Sequence, residues 1–416
     1  MERMMQIQPE RVRKQFPALD RDVIFFDNPG GTQVPNQVID RMVTYLRETN
    51  ANHGGAFETS QQSDQLIHDA RQAVADFLNA AGPEEVVFGP NMTSLTFNLS
   101  RSLAHEIQAG DEIIVTRLDH DANISPWLRI ADERGAVVRW LDFDVEDCTL
   151  RLDQFDQLLS DRTRLVAVGY ASNAVGTINP VQEIIRRSHE KGALTYIDAV
   201  QYAPHGPIDV QELDCDFLVA SAYKFFGPHV GALYGKHSLL ESLDAYRVRP
   251  APSEPPGKFE TGTQNHEGIA GTLGAIEYLA KLGKSLDPDS APDQRANLKR
   301  AMLAIQAYEL NLSEKLLQTL REVPGLRIWG LQDQTTLTQR VPTVSFTMQD
   351  HNPRAIATFL GEQNIYTWDG NYYALAVTER LGLEAQGGML RVGLAHYNTE
   401  AEIERLGVAL HRLSTA

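Results

Sequence analysis

LTYIDAVQYAPHGPIDVQELDCDFLVASAYK, residues 194–224, decides how this chain folds. Asp198 closes one strand pattern, Leu194–Ile197, and Ser221 and Lys224 follow a second, Phe217–Ala220. On the N-terminal side the same rhythm continues: EIIVTRL (112–118), SPWLRIADER (125–134), RLVAVGYAS (164–172) and VQEIIRRSHEKG (181–192) alternate short apolar runs with amphipathic helical patterns. Strands alternating with helices predict a parallel sheet. Runs such as Leu165–Val168 are apolar at consecutive positions, as expected when helices cover both faces. In such α/β sheets ligands bind beyond the carboxyl ends of the strands. His120, Asn173, Asp198, Gln201, Ser221 and Lys224 all fall just after these runs, so topology predicts that they converge on one crevice.

Bulk properties narrow the class. The 416 residues suggest two lobes, and 42% apolar with 22% charged residues is ordinary for a folded globular protein. A formal net charge of -17 without a basic run argues against nucleic acid and anionic membranes as partners. The N-terminal MERMMQIQPERVRKQF has no continuous apolar stretch, and no segment reaches membrane-spanning length. With only Cys148 and Cys215, a disulfide framework and thiolate-rich zinc sites are implausible, so a reducing cytoplasm and no metal are expected.

The seam between lobes is expected at SLDPDSAPD, residues 285–293, a Pro-, Asp- and Ser-rich break after the helical GTLGAIEYLAKLGK. It separates a large domain, 20–284, from a small domain made of 1–19 and 285–416.

Asp198 and Lys224 at one sheet edge suggest specific chemistry. A lysine opposite a buried carboxylate is the pair that pyridoxal 5'-phosphate (PLP) uses: the amine forms a Schiff base, and the carboxylate keeps the ring nitrogen protonated. Taken singly, such residues are more often a structural ion pair or a solvated lysine. The wider sequence supplies the context. VASAYKFFGPHVG (219–231) resembles the S-x-H-K motif, followed by a Gly-Pro turn, of the cysteine desulfurase and selenocysteine lyase family, of class V aminotransferase type. IDAVQ (197–201) resembles its D-x-x-Q element, and LDHDANISPW (118–127) its E-H-H-A-N-x-x-P-W. FFDNPGGTQVP (25–35), VVFGPNMTSLTFNLS (86–100), SNAVGTINP (172–180), FETGTQN (259–265) and LRVGLAHYNTEAEIERL (390–406) match in the family's order.

The resemblance implies an α/β, fold-type I PLP enzyme with a mostly parallel seven-stranded sheet and a smaller α+β C-terminal domain. It places the Schiff base on Lys224, Asp198 at the ring nitrogen, Gln201 near the ring hydroxyl, Asn173 at the ring hydroxyl or the substrate, and His120 stacked on the ring. Thr93, Ser94 and Ser221 match phosphate ligands. Thr93 and Ser94 precede the pattern LTFNLSRSLAHEI, so an anion site at a helix N-terminus is expected there. Thr263 matches a residue that the neighbouring subunit lends to the same phosphate, which implies a homodimer with shared sites. Arg391 corresponds to the arginine that grips a substrate carboxylate, so the substrate is an amino acid.

Departures from the pattern decide the reaction. The family's catalytic cysteine lies in R-x-G-x-x-C, whereas this chain reads YTWDGNYYA at 366–374, with Trp368 for the arginine and Tyr373 for the cysteine. Tyr223 stands where histidine usually precedes the lysine. Cys148 is expected in a surface turn with acidic neighbours and Cys215 in a buried strand, so neither replaces the missing nucleophile. The expected activity is a desulfurase-like lyase, acting on an amino acid by elimination without a persulfide. Lys224 shuttles the proton, and Tyr373 serves as an acid or shapes the pocket. A class V aminotransferase or epimerase, or a non-catalytic PLP-binding scaffold or sensor, are the alternatives.

Overall fold

The apolar runs become strands and the amphipathic patterns become the helices that cover them. The computed structural model describes residues 7–415, so the first six residues of the expected small domain lie outside the described residues. Its main sheet comprises β1 (Val86–Gly89), β2 (Glu112–Thr116), β3 (Val137–Leu141), β4 (Thr163–Gly169), β5 (Leu194–Asp198), β6 (Phe217–Ser221) and β7 (Gly231–Gly235). The spatial order is β1-β7-β6-β5-β4-β2-β3. The pairs from β6 through β3 are parallel, and β7 runs antiparallel to both of its neighbours.

Register brings the functional ends together. Gly169 of β4 pairs with Asp198 of β5, and Asp198 with Val219 of β6, so the loops carrying Asn173, Gln201 and Lys224 leave the sheet side by side. These three strands are buried almost throughout, which explains why their sequence is nearly continuous in apolar residues instead of alternating.

A second sheet is antiparallel. It orders β10 (Trp368–Gly370), β11 (Met389–Gly393), β9 (Thr343–Met348) and β8 (Leu326–Trp329). Arg391 on β11 faces Trp368 across one ladder and Ser345 across the other. Near the N-terminus, Ile24–Phe25 pairs in parallel with Ile365–Tyr366, which carries the loop 27–31 to this second sheet.

The Pro- and Asp-rich stretch joins two long helices, His266–Leu286 and Gln294–Arg321, that pack on each other. Asp293 caps the second by accepting from the Ala296 amide at 3.0 Å. Gly283 sits at the crossing, where an added Cβ would lie 1.9 Å from the Asn297 carbonyl oxygen. Backbone cannot swing aside as a side chain does, so Gly283→Ala should destabilise the fold by about 1–3 kcal/mol, read as a lowered midpoint in urea. An unchanged midpoint would show that the two helices separate freely.

One expectation is corrected. Cys148 is fully buried instead of lying in a surface turn. The bridge between Phe143 and Leu150 folds the acidic turn back on itself, and the Cys148 carbonyl accepts from the Thr177 hydroxyl at 2.9 Å. Burial above all, and then Asp147, pushes its thiol up to about 12.

Candidate functional site

At the carboxyl edge of β2, β4, β5 and β6 lies a cavity of about 540 Å³, within the range of small-molecule sites. His120, Asn173, Asp198, Gln201, Tyr223, Lys224, Thr93, Arg391 and Tyr373 all line it, so nine of the sequence-predicted residues meet in one place. Ser94, Ser221 and Thr263 are not among its lining residues.

Lys224 and Asp198 are the buried pair at its base. Lys224 Nζ donates to the Pro29 carbonyl oxygen. Burial pushes its amine down to about 7, and the charge of Arg391 adds to this, with Asp198 and Asp27 opposing. Asp198 Oδ1 accepts from the Val200 amide at 2.9 Å, while burial pushes its carboxyl up to about 6 against the charge of Lys224. A low-dielectric environment disfavours both charged forms, which is the physical origin of both shifts.

His120 caps the short turn that follows β2, its Nδ1 accepting from the Ala122 amide at 3.0 Å. Burial, then Lys224 and Arg391, push its imidazole down to about 4. The ring is therefore neutral at pH 7, with its proton on Nε2, because Nδ1 already accepts. Tyr373 stacks on it at 5.6 Å between centroids with a 21° interplanar angle, yet its side chain remains 75% exposed.

Arg391 is 3% exposed and has no salt-bridge partner among the described residues. Its Nη1 donates to the Asn173 carbonyl oxygen at 2.9 Å, and its guanidinium lies 4.3 Å from the centre of the Tyr372 ring. Three buried atoms on residues lining the cavity lack a hydrogen-bond partner: Arg391 Nε, Asn173 Oδ1 and Gln201 Oε1. The other halves of the two amides are fixed, Asn173 Nδ2 on the Tyr372 carbonyl at 2.9 Å and Gln201 Nε2 on Thr343 Oγ1 at 3.0 Å. Buried polar atoms without partners are costly, so this set suits a polar, planar ligand together with a carboxylate.

At the phosphate end, helix Met92–Leu103 begins three residues before Leu95, where the sequence pattern opens. Asn91 is the cap, accepting from the Ser94 amide at 2.9 Å, and Ser221 Oγ accepts from the Met92 amide at 3.0 Å. Thr93 and Ser94 thus lie inside the first turn: Thr93 lines the cavity and Ser94 is exposed. Thr263 is exposed on the segment before His266.

Sequence reasoning missed Asp119. It is buried, lines the cavity, and receives the Gly169 amide at 2.7 Å and Asn123 Nδ2 at 3.1 Å. Burial, reinforced by Asp198, pushes its carboxyl well up. Its signal was its place beside His120 just past β2. Tyr372 and Pro29 were also missed, since contact through a backbone carbonyl leaves no mark on residue type.

Comparison with known proteins accords with this geometry. The family profile described as aminotransferase class-V matches residues 24–406. A cysteine desulfurase of Synechococcus elongatus is 36% identical over 97% of this chain, which spans 63% of that relative's length. A cysteine desulfurase of Pectobacterium atrosepticum is 34% identical, with 97% of each protein covered. The solved apo structure of a cysteine desulfurase from Thermococcus onnurineus superposes with a TM-score of 0.88 at 27% identity, covering 100% of both chains. Among the described residues no helix is long and apolar enough to cross a membrane, and no group of three or more His, Cys, Asp or Glu is placed to hold a metal ion. A fold-type I α/β architecture, a cavity with a buried lysine facing a carboxylate, and a match over almost the whole length together make this chain a PLP-dependent, cysteine desulfurase-like enzyme that belongs to the class V aminotransferase family.

Proposed function

We propose that the enzyme is an amino acid lyase that removes the α proton and releases a side-chain leaving group without a cysteine persulfide. The observation carrying this reading is a single cavity that joins buried Lys224 to buried, unpaired Arg391 and has no thiol on its wall. When bound, PLP supplies an electron sink for the pair left at the α carbon. Lys224 Nζ holds the cofactor and moves the α proton, a task suited to an amine near neutrality. Asp198 would meet the ring nitrogen, whose positive charge would favour the ionised carboxylate. Neutral His120 would stack on the ring, and the unpartnered amide oxygens of Asn173 and Gln201 would be available to the ligand. The N-terminus of helix Met92–Leu103 would take the phosphate, with Thr93 on the cavity wall, Ser94 beside it on the first turn, Ser221 at the Met92 amide, and Thr263 of the partner subunit joining them in a homodimer. Arg391 grips the substrate carboxylate, Tyr223 shapes the lysine's surroundings, and Tyr373 closes the cavity over His120.

Neither cysteine serves as nucleophile in this reading. Both are buried away from the cavity, and burial pushes both thiols up, Cys148 to about 12. The fold divides for this purpose into a large domain, 20–284, and a small one, 285–416 with 1–19, and the substrate sits between them.

The test is product analysis on the purified holoenzyme with a panel of amino acids. One keto acid and one ammonia should appear per substrate consumed, with no added amino acceptor and with full activity after iodoacetamide treatment. Turnover only in the presence of a keto acid acceptor contradicts the lyase reading, and loss of activity on alkylation contradicts the thiol-free one.

A pH dependence follows from Lys224. Covalent uptake of PLP needs the free amine, so the uptake rate of the apoprotein should rise through about pH 7 and then level. A rate still climbing steeply towards the ordinary lysine value of 10.5 contradicts the assignment of the buried amine.

A further inference from the structure

We propose that the substrate carries a cationic side chain, an ammonium or guanidinium group, held at the cavity mouth between the Asp121 carboxylate and the faces of Trp368 and Tyr373. The inference rests on the amino acid reading of the same site and names its substrate class.

The mouth is built from fixed parts. Asp121 lines the cavity; its amide donates to the Tyr373 carbonyl at 2.6 Å, and its Oδ2 accepts from Ser125 Oγ at 2.5 Å. Trp368 also lines the cavity and is 52% exposed. Tyr372 and Tyr373 adopt φ of +57° and +59°, a left-handed conformation that bulky residues rarely take. The loop is held there by Asn173 on the Tyr372 carbonyl, by Asp121 on the Tyr373 carbonyl and by the Tyr372 hydroxyl on the Met389 carbonyl. Such strain persists only where the surroundings enforce it, and here it stacks the Tyr373 ring on His120, the neighbour of Asp121.

Charge accounting then singles out Asp121. The substrate carboxylate neutralises Arg391, while Lys224 and Asp198 serve the cofactor. Asp119 is buried behind them with its own donors, Gly169 and Asn123. The one remaining carboxylate lining the cavity is Asp121, and Trp368 and Tyr373 line the same cavity. A carboxylate with aromatic walls is the surface chemistry that recognises an organic cation. The departures from the family pattern point the same way. Asp121 stands at the second histidine of E-H-H-A-N, Trp368 at the arginine of R-x-G-x-x-C and Tyr373 at its cysteine. A cation and an imidazole give way to an anion and aromatic rings. An apolar aromatic side chain also fits the faces, but it leaves the Asp121 charge with only the Ser125 hydroxyl and no counter-charge.

The decisive comparison is arginine against citrulline, which differ at the charged end, by titrating the holoenzyme and following the cofactor's visible absorbance. Arginine should bind at least about tenfold more tightly, which is about 1.4 kcal/mol. Asp121→Asn should bring the ratio to within about twofold, and Trp368→Leu, at an exposed position, should lower it several-fold. Equal affinities, or tighter binding of phenylalanine than of arginine, overturn the cationic side chain while the amino acid reading stands. If no α-amino acid perturbs the absorbance, that reading falls and the inference with it.

Discussion

Lys224→Ala should lower turnover by about 10³-fold or more, because it removes both the covalent anchor of the cofactor and the base that moves the α proton; base catalysis alone is worth about 10²–10⁴-fold. Cofactor should still bind, held at its phosphate and ring, but without the absorbance of a lysine-linked species. The loss should not reflect misfolding. A lysine amine pushed down to about 7 in the fold, against 10.5 when unfolded, contributes stability that is present above 10.5 and lost as pH falls through about 7. The alanine apoprotein should therefore melt higher than the parent below pH 7, with the difference shrinking as pH rises. A variant that keeps turnover within tenfold of the parent contradicts the role of Lys224.

Arg391→Leu should raise KM by roughly 100-fold, a loss of about 3 kcal/mol, by removing the charge that meets the substrate carboxylate. The guanidinium is buried, lies over the Tyr372 ring and has one protein hydrogen bond, to the Asn173 carbonyl. A buried guanidinium with no salt bridge, only the more distant charge of Asp27, costs stability, so leucine at this position should raise the melting temperature of the apoprotein as it weakens substrate binding. These opposite shifts separate a ligand-binding arginine from a structural one. Arg391→Lys should recover only part of the affinity, since an ammonium lacks the planar fork. A KM within threefold of the parent, together with a lowered melting temperature, assigns Arg391 to packing instead.

The parallel sheet was legible because its central strands β4, β5 and β6 are buried on both faces and write themselves as continuous apolar runs, whereas the edge strand β3 is partly exposed. Helix Ser125–Arg134 matches its sequence pattern at both ends, and strand Leu194–Asp198 runs one residue past the expected Ile197. The antiparallel β7, GALYG, carried no such signal, since a short glycine-flanked run reads the same in either direction. At the site, four of the charged or ring side chains that line the cavity were visible in sequence: Lys224, Asp198, His120 and Arg391. The details set by backbone geometry were not. Asn91 took the cap that Thr93 and Ser94 seemed to own, because the helix begins at Met92. Cys148 looked exposed among acids, yet the hairpin closed by Phe143 and Leu150 turns it inward. The left-handed pair Tyr372 and Tyr373 has no signature in residue type, since tyrosine is not favoured there.

Borohydride reduction of the holoenzyme, followed by proteolysis and peptide mass spectrometry, puts the whole account at risk in one step. The expected outcome is a single pyridoxyl adduct on Lys224, formed in proportion to the absorbance lost. An adduct on another lysine, or no adduct in a protein that turns over amino acids, contradicts it.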